Sequence, residues 1–117
     1  MNNDSYHELK RRLRQFADER DWNQFHSPKN LAMALSVEVA ELVEHFQWLT
    51  EPQSAAPAPE KQRAIALEMA DILIYLVRLA DKLDVDLEQA VNDKIELNAI
   101  KYPPHQVRGS AKKYNEY

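Results

Sequence analysis

An all-α fold follows from three observations on this chain. Only one glycine occurs in 117 residues, although 44% of them are hydrophobic, so little in the composition favours tight turns or strand-rich loops. The prolines stand only at positions 28, 52, 57, 59, 103 and 104, where they can start or stop helices without interrupting them. Between them apolar residues recur at helical spacing: Ile65, Met69, Ile72, Leu76, Leu79 and Leu83 form a 4-3-4-3-4 seam.

Four helices are expected. The first runs from about Ser5 to Arg20, with Tyr6, Leu9, Leu13 and Phe16 on one face. The second begins at Ser27-Pro28, a capping residue followed by a proline at the first helical position. It is expected to reach about Leu49, where Thr50-Glu51-Pro52 ends it. Residues 51–59 are rich in proline and alanine and read as an exposed, stiffened loop. The third helix spans about Glu60 to Leu83. Asp84-Val85 breaks it, and Asp86 caps a fourth reaching about Ile100, with Gln89 placed for a capping box. Lys101-Tyr102-Pro103-Pro104 stops that helix, and 103–117 form a basic tail. Residues 1–117 thus read as a single domain.

The composition narrows the function. A net charge of −4 and a pI near 5.5 argue against a nucleic-acid or membrane-surface partner. With no cysteine there is neither a disulfide nor a thiolate nucleophile. The residues from Met1 to Ser5 are polar and no apolar run is long enough to span a membrane, so the cytoplasm is the expected location. Met33, Val37, Ala40 and Ile74 lie off the main seams. More apolar surface is present than one neighbouring helix would cover, which predicts a homo-oligomer.

Two acidic signatures carry the chemistry: Glu38-Val-Ala-Glu41 and Glu68-Met-Ala-Asp71. Carboxylates three positions apart share a helix face. Leu31, Leu35, Leu42 and Leu49 define a seam that would include position 38, yet position 38 is Glu. Glu68 and Asp71 likewise border the seam of the third helix. Single Glu-x-x-Glu pairs are usually solvated. Two pairs beside two apolar seams weigh against that reading, because carboxylates there repel and resist desolvation unless a cation neutralises them. All-oxygen ligation suits Mg²⁺, with Mn²⁺ as a substitute.

Aromatic and polar residues flank these pairs. Trp22, Trp48 and Tyr75 fit core packing taken singly, but as a set they can stack on a flat heteroaromatic ring, with His26 and Asn30 reading its edge. Lys94, Asn98 and Lys101 recur at 4-3 spacing on the fourth helix, followed by Tyr102. Beside a cation and four carboxylates they make a candidate phosphate clamp. Lys29, at the start of the second helix, is another cation placed for an anion. Together these features describe a nucleoside polyphosphate site. A P-loop and a Gly-x-Ser-x-Gly elbow are both absent. Neither signature has the Glu-x-x-His of a redox di-metal bundle. A non-catalytic helical adaptor, using the apolar faces to hold a partner, is the alternative from another class.

The acidic pairs resemble those of the all-α nucleoside triphosphate pyrophosphohydrolases, the MazG-like superfamily. The segments Glu19-Arg-Asp-Trp-Asn-Gln-Phe-His-Ser-Pro-Lys-Asn30, Glu38-Val-Ala-Glu-Leu-Val-Glu-His-Phe-Gln-Trp48 and Asp71-Ile-Leu-Ile-Tyr-Leu-Val77 are similar to the dCTP pyrophosphatase branch. The resemblance covers roughly positions 6 to 114; the chain departs from it at the short Pro/Ala-rich loop and at Arg14 in the first helix, near the base pocket, where the animal members of the branch have His. It implies a four-helix MazG-like bundle assembling as a dimer of dimers, hence a homotetramer. It also implies Mg²⁺-dependent conversion of dCTP, or 5-modified dCTP, and water to dCMP and diphosphate, with broader NTP or dUTP hydrolysis as the alternative. On this resemblance Glu38, Glu41, Glu68 and Asp71 hold the metal, and Trp22, His26, Trp48 and Tyr75 line the cytosine pocket. Lys94, Asn98, Lys101, Tyr102 and Lys113 then face the phosphates. Glu41, with Glu38, is the candidate for positioning the attacking water.

Overall fold

The computed structural model describes residues 3–111, and every regular element among them is helical. The first helix, α1, spans Asn3–Glu19 and buries Tyr6 and Ala17, with Leu9 and Leu13 half-buried on the same side. Asp21 then takes the left-handed conformation (φ 53°), which Asp tolerates better than most residues. The reversal admits a short 3₁₀ turn, Trp22–Phe25. Ser27 caps α2 (Pro28–Glu44) by accepting a 3.1 Å hydrogen bond from the Asn30 amide.

The second helix stops five residues before the expected Leu49. Residues 45–49 form successive tight turns, seen in the bonds from Phe46 N to Val43 O and Leu49 N to Phe46 O, both 2.9 Å. The cause lies just beyond. Thr50 is not a stop but the N-cap of a new one-turn helix, α3 (Glu51–Ser54), and needs an extended backbone (ψ 165°). A reciprocal capping box holds it: Gln53 N donates to Thr50 Oγ1 at 3.3 Å and Thr50 N donates to Gln53 Oε1 at 2.9 Å.

The long helix α4 spans Pro59–Lys82 and packs along α2, with α1 lying against it less extensively. Leu31 on α2 and Val77 on α4, each 1% exposed, are the largest fully buried side chains. Ile65 and Ala80 complete the α4 contribution to the core. Left-handed Asp84 (φ 56°) terminates α4, and Val85 N donates back to Ala80 O at 2.8 Å. Arg14 ties α1 to the end of α4 through a bidentate pair with Asp81, at 2.6 and 2.5 Å.

From Asp86 onward the chain forms a second compact unit. It contains α5 (Leu87–Lys101) and the short α6 (Pro104–Val107). Asp86 caps α5 by accepting from Gln89 N at 3.0 Å. The expected capping box forms only halfway, because the Gln89 side chain donates to Asp93 at 2.9 Å instead of reaching back. Val91, Ile95, Leu97 and Ile100 on α5 are all more than half exposed, as are Met33, Val37, Leu67 and Met69 in the first unit. No helix among the described residues is long and apolar enough to cross a membrane.

Candidate active site

Two adjacent helices build the acidic centre. Glu38 and Glu41 stand one turn apart on α2, and Glu68 stands on α4, which packs along it. One carboxylate oxygen from each comes within 4.8 Å of the others, and all three residues are half-buried. Glu38 Oε2 and Glu68 Oε2 are buried with no hydrogen-bond donor. Such oxygens destabilise the protein unless a proton or a cation meets them. Burial, followed by proton sharing with Glu68 and Glu41 and the charges of Glu41 and Asp71, pushes the Glu38 carboxyl up to about 7. A set made only of carboxylate oxygens, with two left orphaned, fits a hard divalent cation.

The shift carries a sign that can be measured. A raised carboxyl favours the protonated folded form, so its stabilising contribution is complete below the ordinary value of 4.5 and is lost as pH rises through about 7. The metal-free protein should therefore melt at lower temperature at pH 8 than at pH 5.5, and Mg²⁺ should restore the difference most strongly at pH 8. A Mg²⁺ effect equal at both pH values would show that the cation does not displace the Glu38 proton.

Asp71, one turn after Glu68, is exposed and lies outside the 4.8 Å set. It lines a neighbouring cavity of about 300 Å³ together with Leu13, Phe16, Ala17, Trp22, His26, Ile74, Tyr75 and Arg78. Trp22 meets Phe16 edge-on at 5.7 Å and tilts over His26 at 6.1 Å between ring centres. The cavity is therefore an aromatic slot with the acidic face at one side.

The structure brings Trp22, His26 and Tyr75 together on that wall. Asn30 stands elsewhere: its side chain donates to Phe25 O at 3.0 Å and its amide to Ser27, so it secures the turn into α2. Trp48 lies in the turns after α2, is 86% exposed and is not on the cavity wall. Lys29 is exposed in the first turn of α2. Lys94, Asn98 and Lys101 are exposed on α5 in the second unit, and Tyr102 caps its C-terminus. Lys113 lies outside the described residues.

Sequence reasoning missed Arg78. Only 4% of it is exposed, and Nη2 lies 2.9 Å from Asn23 Oδ1 and 3.3 Å from His26 Nδ1. A signal was available, since Arg78 is the lone charged residue between Ile72 and Ala80. Burial, then the charges of Arg78 and Lys82, hold His26 below its ordinary value, so its imidazole is neutral near pH 7. Because guanidinium only donates, His26 Nδ1 accepts and the ring proton resides on Nε2.

The chain is 50% identical over 111 residues to dCTP pyrophosphatase 1 of Mus musculus and 47% identical over 111 residues to that of Homo sapiens. Each match covers 93% of this chain but 65% of the relative, so the chain spans about two thirds of those proteins. A crystal structure of a pyrophosphatase from Archaeoglobus fulgidus superposes with a TM-score of 0.81 at 39% identity, over 88% of this chain and 96% of that one. The MazG-like family model matches residues 33–117, which include both acidic signatures, and the chain belongs to the MazG-like family.

Proposed function

We propose that this chain is a Mg²⁺-dependent nucleoside triphosphate pyrophosphohydrolase whose substrate is dCTP, giving dCMP and diphosphate. The convergence of Glu38, Glu41 and Glu68 beside an aromatic slot carries the reading. The identity to proteins named dCTP pyrophosphatase 1 supports the choice of base and of reaction.

Glu38, Glu41, Glu68 and Asp71 would hold the cation. When bound, Mg²⁺ supplies positive charge against the triphosphate and acidifies water. The residues do the rest. Trp22 and Tyr75 hold the base by stacking, while His26 meets the ring edge and Asn30 secures the turn that carries it; Trp48, off the cavity wall of its own chain, is proposed as a further base contact. Water, oriented and deprotonated by Glu41 with Glu38 beside it, attacks the α-phosphorus as the bond to the α–β bridging oxygen breaks. Lys94, Asn98, Lys101 and Tyr102, with Lys29 and Lys113, are the residues proposed to answer the charge of the phosphates.

The exposed apolar residues on α2, α4 and α5 support assembly into a dimer of dimers. On this reading the chain is one catalytic domain acting in the cytoplasm. Product analysis tests the reaction. Mg²⁺-dependent formation of dCMP and diphosphate is the expected outcome; dCDP and inorganic phosphate would place the cleavage at the wrong bond and overturn it.

A further inference from the structure

Arg78 is a buried cation that the acidic centre does not use, and its placement is unusual. It interrupts an otherwise apolar stretch of α4, its side chain is 5% exposed, and it forms part of the cavity wall beside Tyr75 and His26. A guanidinium carries five N–H donors and no acceptor. Nη2 is engaged by Asn23 and His26, and Nη1 lies 3.6 Å from Asp81. Nε is buried with no partner. Asp81 is itself committed to Arg14, so the charge of Arg78 is only partly answered inside the protein. A buried donor left open in this way is destabilising unless an acceptor arrives.

His26 extends the pattern. Its Nδ1 faces Arg78 as acceptor, leaving Nε2–H as the free edge of the ring. Arg78 and His26 thus bring donors to a wall whose acceptors are the Asp71 carboxylate and the Tyr75 hydroxyl. Cytosine offers two adjacent acceptors, N3 and O2. Uracil and thymine carry a hydrogen on N3, which would meet a donor there. Arginine favours adjacent acceptor pairs for the same reason when it reads guanine in DNA.

We propose that Arg78, with His26 held by it, is the specificity-determining residue that selects cytosine over uracil and thymine in this slot. The proposal rests on the dCTP reading above and assigns its base discrimination to a buried guanidinium.

The test measures kcat/KM for dCTP and for dUTP in wild type, Arg78→Met and Arg78→Lys, with melting temperatures recorded alongside. Methionine keeps much of the volume without a donor; lysine keeps the charge without the planar fork. Losing a hydrogen bond from a charged donor predicts a fall in the dCTP/dUTP ratio of roughly tenfold to a hundredfold in Arg78→Met. That fall should appear mainly in KM for dCTP. Arg78→Lys should fall in the same direction. A purely structural role would lower both substrates alike, so a ratio within about twofold of wild type in either folded variant overturns the proposal. If Arg78→Met does not fold, Arg78→Lys decides by the same criterion. Wild-type protein that leaves dCTP intact would sink the catalytic reading instead. Equilibrium binding of dCMP against dUMP would then test Arg78 independently, by the same ratio and the same threshold.

Discussion

Glu68→Gln should leave the chain folded while reducing dCTP turnover by roughly a hundredfold to a thousandfold, the usual scale for one lost electrostatic group. The substitution is close to isosteric and removes one negative charge from a set of three oxygens within 4.8 Å. Glu68 Oε2 is buried without a donor, and the glutamine amide brings N–H donors to a cluster with two unanswered carboxylate oxygens, so the metal-free protein gains by the change. Activity and stability should thus move in opposite directions. The melting temperature without metal should rise or hold, the Mg²⁺-induced increase should disappear, and kcat should collapse. Near wild-type turnover in a folded Glu68→Gln protein would remove the acidic centre from the reaction.

Leu31→Ala should destabilise the protein by about 3–5 kcal/mol, the range for large cavities left in a packed core. Leu31 is 1% exposed and enters the core from the first turn of α2, next to the Ser27 cap. Shortening it empties space where α2 is anchored, and α2 carries Glu38 and Glu41. Trp48→Ala is the control. At 86% exposure it should shift stability by no more than about 0.5 kcal/mol, despite removing the larger side chain. Denaturant unfolding at one fixed protein concentration compares the two, since assembly would otherwise enter the result. Equal losses would mean that Trp48 is covered by something other than its own chain.

The helical class and most helix starts were legible because the signals are local. Ser27-Pro28 reads as a start from a hydroxyl and a fixed φ alone, and the structure places α2 there. The seam of α4 was equally plain, since its apolar period persists for most of the helix. The end of α2 was not. Thr50-Glu51-Pro52 resembles a stop by composition, and only the reciprocal bonds between Thr50 and Gln53 show it to be a start. The acidic centre was legible because Glu stood where the Leu31–Leu35–Leu42 seam called for an apolar residue. Asn30 and Trp48 were singled out by type, and type does not reveal direction: one braces its own turn and the other faces solvent in this chain. Arg78 escaped because an isolated arginine in an apolar run usually sends its charge to the surface. Its burial depends on Asn23 and His26, which stand 55 and 52 residues before it in sequence and meet it only in the fold.

Pyrophosphate release from the eight common NTPs and dNTPs, with Mg²⁺ and then with EDTA, tests the central claim most directly. The account predicts Mg²⁺-dependent release with dCTP well ahead of the other seven, and silence with EDTA. Release from none of them, or release that EDTA leaves untouched, would contradict it.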